Sequence, residues 1–406
     1  MSLLQGYRVL ECGLIMQGPL TATALADLGA DVIKVESTDS PDPIRGNEQF
    51  WGIDMRLRSE LGEVNICFES VNRGKRGMTL NLKSERGRAL LYALVKQCDV
   101  FIQNWSPRVS TQLGFDYESV RAHNPRIVYL ESTGFGTSGP YSGAPGMDPV
   151  GAGFSGLMYL PSAEAKEPQY PIGGFGDNSG ALMGVAAILA ALLARERTGE
   201  GQHLEVSQIG ALFWLESLPV IGATATGNVM ARVPRERERN PLFNIYRCAD
   251  ERWIVLGEWQ PERKLADFYM ALGRSDLWTD ARFNSFRGIL ENHVELIAVL
   301  DRVFAGRPSG EWIAALSERS ILVGPVNTVL EATREPQMLA NGYLQEYDHP
   351  GYGPIRAAAL PIKCGGTPLP IAGAAPSWGQ HTEEVLMELL GLEWEDLTAL
   401  RDAGVI

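Results

Sequence analysis

Arg8-Val9-Leu10-Glu11, then Thr21-Ala22-Thr23-Ala24-Leu25-Ala26-Asp27-Leu28, then Asp31-Val32-Ile33-Lys34-Val35-Glu36 alternate in kind near the start of the chain. The outer two pieces are short apolar runs that end in an acid, the pattern of strands buried on both faces. The middle piece is alanine-rich and helix-like, with Pro19 placed to open it. Strand, helix and strand in about 30 residues make a βαβ unit, the building block of parallel sheets. Two further units follow: Glu85 to Lys96 reads as helix, Asp99 to Gln103 as strand, Tyr117 to Ala122 as helix and Ile127 to Glu131 as strand. The expectation is therefore an α/β fold.

Further along, Gly180 to Arg197 reads as a long buried helix stopped by Gly199 and Gly201, and His203 to Ser207 as a strand. Its apolar run, Gly180 to Ala194, is shorter than the roughly 18 to 20 residues a membrane span needs, so no membrane is expected. The stretch 224–240 carries alternating charges in Arg235-Glu236-Arg237-Glu238-Arg239 and reads as a linker or exposed loop. Leu242 to Leu256 reads as a hairpin turning at Ala249-Asp250-Glu251, with helices following to about Ser317. Gly324-Pro325-Val326 begins a return, Tyr343 to Pro361 is strand-like, and a final helix covers Thr382 to Leu390. The expected division is 1–223, 224–325 and 326–406.

With 406 residues the chain can bury a substantial core in two domains. Its net charge of -13 argues against nucleic acid as a partner. The five cysteines are scattered without metal or disulfide spacing, which fits a reduced, cytoplasmic setting. Residues 1–13 lack the features of a signal peptide. His123, His203, His293, His349 and His381 form no metal pair and there is no GxSxG elbow, so neither metal hydrolysis nor serine-hydrolase chemistry is expected.

Gly146-Met147-Asp148-Pro149-Val150-Gly151-Ala152-Gly153 isolates one carboxylate among residues that cannot ionise. Pro149 biases Asp148 toward extended backbone, so Asp148 is a candidate nucleophile presented on a loop; an ordinary Asp-Pro turn is the competing reading. Gly134-Phe135-Gly136-Thr137-Ser138-Gly139 formally matches a dinucleotide fingerprint, but turn sequence follows it where a helix is required. Arg73, Lys75 and Arg76 crowd one predicted loop, where they are either solvated or phosphate-binding. Asn104 and Trp105 end a predicted strand, where α/β sheets bind ligands, and Trp105 is equally suited to a core.

These segments occur in an order that resembles the family III coenzyme A transferases. The resemblance rests on 18–36, 72–84 (NRGKRGMTLNLKS), 99–107 (DVFIQNWSP), 134–141 (GFGTSGPY), 146–157 (GMDPVGAGFSGL), 196–207 (ERTGEGQHLEVS) and 324–332 (GPVNTVLEA). It implies a Rossmann-like large domain formed by both chain ends, a smaller inserted α+β domain and an interlocked dimer, with a copy or a paralogous subunit as the second chain. It also implies reversible CoA transfer from an acyl-CoA, with succinyl-CoA among the donors, to a carboxylic acid. Asp148 matches the carboxylate that forms an anhydride and then a CoA thioester. Met16 and Gln17 match backbone near the thioester, with Gln17 in the catalytic set. Lys75, Arg76, Asn104 and Trp105 match the CoA site. Ser37 and Gln112 replace arginines of formyl-CoA transferase, so Arg45 and Arg108 are candidate replacements. CoA is expected as substrate, with no tightly bound cofactor and no metal. Two alternatives remain open. One is a racemase, disfavoured because Met147 stands where that branch places a histidine; the other is a CoA-binding subunit of a heteromeric transferase.

Overall fold

The computed structural model describes residues 2–161 and 167–406. These residues form two compact units, one within 1–158, 170–225 and 339–406, the other within 159–169 and 226–338. In the first unit, β1 (Arg8–Glu11), α1 (Gln17–Asp27) and β2 (Asp31–Glu36) form the βαβ unit read from the sequence. Two small hairpins follow, β3 (Gln49–Phe50) with β4 (Ile53–Asp54), and β5 (Arg56–Ser59) with β6 (Gly62–Asn65). Then come α2 (Ile66–Asn72), β7 (Arg76–Thr79), α3 (Glu85–Val95), β8 (Val100–Gln103), α4 (Pro107–Leu113), α5 (Tyr117–His123) and β9 (Val128–Thr133). The run closes with α6 (Asp148–Ser155), α7 (Phe175–Thr198), β10 (Gln202–Ser207), α8 (Gln208–Leu215) and α9 (Ser217–Thr226).

Six strands pair in parallel in the order β10-β9-β8-β1-β2-β7. Side chains alternate between the two faces of a strand, and each face has its own helical layer. Val9, Val32, Val100 and Val128 pack against Leu25 of α1 and Ile188 and Leu192 of α7. Leu10, Ile33, Phe101 and Tyr129 pack against Leu91 and Leu94 of α3, Val120 of α5 and Val385 and Leu386 of the helix Thr382–Leu390. Burying each such side chain contributes about 1.5–3 kcal/mol. That two-sided cover is why the strands carry nearly unbroken apolar runs.

From β1 the chain winds outward through β2 to β7, returns to lie beside β1 as β8, and winds the other way through β9 to β10. Connections leave β1 and β8 in opposite directions, which opens a crevice outside their carboxyl ends, the usual ligand position in such sheets.

Three expectations need correction. Asp148 is not held on an extended loop: Met147 is extended (φ -144, ψ 147) and Asp148 opens α6, with Pro149 in the first turn where no N–H is missed. The long helix begins at Phe175 rather than Gly180, so α7 runs 24 residues to the left-handed Gly199. It is thereby long and apolar enough to cross a bilayer, although Ile188, Ala191 and Leu192 face the sheet. The helix Thr382–Leu390 is not the last, because Gly391 (φ 66) ends it and Trp394–Asp402 follows behind a Glu393–Asp396 capping box.

The second unit has an antiparallel sheet of Ile245–Arg247, Trp253–Leu256 and Val323–Pro325. Tyr246, Phe268, Phe304 and Trp312 fill its core with side chains from the helices Leu265–Ala271, Phe286–Phe304 and Ser309–Ser317. In the charged stretch, Arg235 pairs with Asp301 and lies 5.6 Å over the Tyr246 ring, so this arginine is part of the unit's packing.

Candidate active site

A cavity of about 260 Å³ opens in the crevice between β1 and β8. Its walls are the loop after β1 (Leu14 to Gln17), the loop after β8 (Asn104 to Pro107), the end of β9 (Ser132 to Phe135), residues 142 and 144–147, Asp177 of α7 and Gln208 of α8. Gly134 is required there by close approach: a Cβ on it would lie 2.4 Å from the Gly146 Cα. That backbone crossing, rather than a dinucleotide, accounts for the first glycine of the fingerprint-like run.

Among the described residues, Asp177 is the only ionisable side chain in this wall. Its Oδ1 accepts Gln208 Nε2 at 2.6 Å, and its other oxygen has no hydrogen-bond partner among the described residues. Burial, and secondarily the charge of Asp148, push its pKa from 3.8 up to about 6 against the opposing Gln208 bond. A buried carboxylate of this kind is ionised at neutral pH yet poorly solvated, as a nucleophile requires.

Asp148 stands in a different setting. Its Oδ2 accepts the backbone N–H groups of Gly176 (2.6 Å) and Asp177 (3.0 Å), and its Oδ1 accepts the Tyr170 hydroxyl at 2.6 Å. Those amides belong to the first turn of α7, whose own cap residue, Gly174, has no side chain. Asp148 is thus the helix cap that α7 lacks, and its carboxylate does not line the cavity. Burial and the adjacent carboxylate raise the pKa of the Tyr170 phenol, which therefore keeps its proton.

The first turn of α1 points into the cavity without a side-chain cap at Met16. The amides of Met16, Gln17 and Gly18 have no acceptor among the described residues, an arrangement suited to negative charge at a helix N-terminus. Gln17 Nε2, Ser132 Oγ and Gln208 Oε1 are buried without partners among the described residues, and all three residues line the cavity. Unmet polar groups in one small space are suited to a polar ligand.

Comparison with known proteins agrees with this chemistry. Residues 4–382 match the family model described as CoA-transferase family III. The chain belongs to this family. The succinyl-CoA:glutarate CoA-transferase of Mus musculus is 29% identical over 414 residues, covering 99% of this chain and 90% of the relative. The formyl-CoA:oxalate CoA-transferase of Streptomyces coelicolor is 30% identical, covering 99% of each. A crystal structure of a CAIB/BAIF family protein from Brucella suis matches with a TM-score of 0.83 at 29% identity, over 95% of this chain and 98% of the other. The protein is a CoA-transferase with acyl-CoA and acid substrates.

Measured against what a family III CoA-transferase needs, the expected residues divide. Met16, Gln17, Asn104 and Trp105 meet at the cavity. Asn104 also clamps Leu14 through two bonds, and Trp105 Nε1 holds the Cys12 carbonyl at 2.7 Å, so both position the loop after β1. Lys75 is not available to a nucleotide: its buried Nζ is spent on Glu11, Pro19 O, Val71 O and Asn72. Burial pushes its pKa down to about 8. Arg76 stands at the start of β7, paired with Asp31, Glu384 and Glu388, away from the strands' carboxyl ends. Arg45 forks onto Glu36 and lies 3.5 Å over the Phe68 ring. Arg108 makes no ion pair among the described residues and lines a second cavity of about 580 Å³ with Gln112, Thr137 and Ser142.

Outside these cavities, Glu131, His203 and Glu205 are the acid and histidine group with metal-like spacing among the described residues. They already have partners, His203 bonding Glu131 at 3.1 Å and Glu205 accepting Thr137 at 2.6 Å. Sequence reasoning missed Asp177, Gln208, Ser132 and Tyr170. A signal for Asp177 did exist: Gly173-Gly174-Phe175-Gly176-Asp177 isolates an acid among glycines just as the run around Asp148 does.

Proposed function

We propose that the enzyme moves CoA between an acyl-CoA and a carboxylic acid through covalent intermediates on Asp177, not on Asp148. The observation that carries the reading is that Asp177 is, among the described residues, the sole ionisable group lining a cavity whose other polar side chains include the unpartnered Gln17 Nε2 and Ser132 Oγ. The Asp177 carboxylate attacks the thioester carbonyl. The C–S bond breaks, the electron pair leaves with the CoA thiolate, and an aspartyl acyl anhydride remains. The thiolate attacks the aspartyl carbonyl, releasing the donor acid and leaving an aspartyl-CoA thioester. The acceptor carboxylate then expels the thiolate to give a second anhydride. Attack of the thiolate on the acceptor's acyl carbon yields the new acyl-CoA and frees Asp177. No proton is gained or lost, so one ionised carboxylate suffices and no base partner is needed.

Each attack places negative charge on a carbonyl oxygen, which the free amides at the start of α1 and Gln17 Nε2 are suited to receive. A racemase needs two bases facing the α-carbon, whereas the described residues of this cavity wall offer Asp177 alone. Arg108, beside the second cavity, is the cation best placed for a CoA phosphate. The relatives named for glutarate and oxalate support a dicarboxylate acceptor. Leu182, Leu193, Trp214, Leu218 and Ile221 on α7, α8 and α9 are more than half exposed, and this apolar surface supports association with a second chain, in the interlocked arrangement.

The test is a panel of acyl-CoA donors against mono- and dicarboxylic acids, with mass analysis of the peptide carrying Asp177. A CoA adduct on that peptide during turnover is expected. Full exchange by Asp177→Ala would defeat the reading.

A further inference from the structure

Ile15 stands at φ 65, a left-handed conformation that a β-branched side chain resists and that its surroundings must enforce. The enforcing group is Asp42, whose two carboxylate oxygens accept the Ile15 N–H at 3.1 and 3.2 Å. Asp42 is 1% exposed and is itself fixed from two sides. Lys34 Nζ lies 3.0 Å from its Oδ2, and its backbone N–H donates to Glu36 Oε1 at 2.9 Å. Lys34 is fully buried and also donates to the Gly13 carbonyl at 2.8 Å and to Glu11 at 3.2 Å. The loop is therefore held residue by residue: Cys12 by Trp105, Gly13 by Lys34, Leu14 by Asn104 and Ile15 by Asp42. Immediately after it, the amides of Met16 and Gln17 are left free at the cavity.

We infer that Asp42 is a positioning residue for the transfer reaction: with Lys34 it locks Ile15 in the left-handed conformation that aims the Met16 and Gln17 amides at the thioester oxygen. The inference rests on the proposed oxyanion role of those amides. A carbonyl oxygen gains most from donors whose direction is fixed before charge develops, and a relaxed Ile15 would turn the following peptide away.

Asp42→Asn keeps the volume and one acceptor oxygen but replaces the other with an NH2 that can accept from neither the Ile15 N–H nor Lys34 Nζ, so the two-oxygen hold on Ile15 and its lock to Lys34 are weakened. The expected result is a kcat lower by between about tenfold and 100-fold, the range for a misdirected oxyanion donor, with the KM for acyl-CoA changed less than about twofold. Adding Ile15→Gly, which accepts a positive φ freely, restores a large part of kcat. Unchanged kcat in folded Asp42→Asn, or a loss that Ile15→Gly does not relieve, overturns the inference. If Asp42→Asn alone does not fold, the double variant decides: folded and active supports it, while folded and inactive, or unfolded, overturns it. Asp177→Ala measured alongside separates the two claims, since activity there sinks the underlying reading, whereas its loss with full activity in Asp42→Asn sinks only this one.

Discussion

Asp148 Oδ2 accepts the backbone N–H of Asp177 at 3.0 Å, so one acid caps the helix turn that presents the other. The two carboxylates are not interchangeable. Asp177→Ala removes the proposed nucleophile and is expected to lower exchange by about 1,000-fold or more, the scale of nucleophile loss elsewhere. Asp148→Asn keeps one acceptor oxygen but turns an NH2 toward either the Tyr170 hydroxyl or the Gly176 and Asp177 N–H groups, and it removes the negative charge at the helix start, so it is expected to destabilise the fold by about 1 kcal/mol while leaving measurable turnover. Steady-state rates paired with thermal melts distinguish the two; equal, complete loss in both folded variants would contradict this division of labour.

Ionisation of Asp177 sets a pH dependence whose sign differs between activity and stability. With its pKa raised from 3.8 to about 6, the attacking form is lost on acidification, so the rate is expected to fall below about pH 6. For stability, the folded state binds more protons than the unfolded state between those values, so stability falls as pH rises through that window and then levels off. At about 1.4 kcal/mol per pKa unit, Asp177→Asn is expected to stabilise the protein above pH 6 by up to about 3 kcal/mol. Denaturant titrations at pH 4 and pH 7.5 check this; a stabilisation equal at both would contradict it.

Gly180 tests whether Gln17 matters to chemistry rather than to folding. A Cβ there would lie 2.2 Å from Gln17 Nε2, one of the cavity atoms that have no partner among the described residues. Gly→Ala within a helix ordinarily gains about 1 kcal/mol, and the end of the Gln17 side chain can swing aside. Gly180→Ala is therefore expected to leave the melting temperature unchanged or higher while kcat drops about tenfold, a modest fraction of an oxyanion donor's worth. A fall in melting temperature that matches the fall in activity would point to packing alone.

The contrast between Asp148 and Asp177 also shows what the chain reveals before folding. The strands were legible because Val9, Val32, Val100 and Val128 are buried on one face and Leu10, Ile33 and Phe101 on the other, a pattern local to each strand. The site was only half legible. Asp148 and Asp177 both sit among glycines, and what separates them is that Tyr170, Gly176 and Asp177 consume the acceptors of Asp148, a long-range fact. The cations failed for the same reason. Lys75, Arg76 and Arg45 find Glu11, Asp31 and Glu36, which lie on the neighbouring strands β1 and β2, and nothing in a run of basic residues announces those partners.

Arg108 and Arg76 give the sharpest test of where the nucleotide lies. Both are arginines once matched to the CoA site, but Arg76 is held by three carboxylates and Arg108 by none among the described residues. A guanidinium already neutralised by three acids has little left to offer a phosphate, whereas an unpaired one contributes about 1.5–3 kcal/mol to a charged hydrogen bond. Arg108→Ala is expected to raise the KM for acyl-CoA by about tenfold or more with kcat little changed, since a remote phosphate contact is made equally in ground and transition states. Arg76→Ala is expected to leave that KM within about twofold and instead to lower the melting temperature, because Asp31, Glu384 and Glu388 lose their common cation. Repeating the KM comparison with a truncated pantetheine thioester completes the argument: a substrate without the nucleotide phosphates should erase the difference between Arg108→Ala and the parent enzyme, and a persistent difference would place Arg108 elsewhere than at the phosphates.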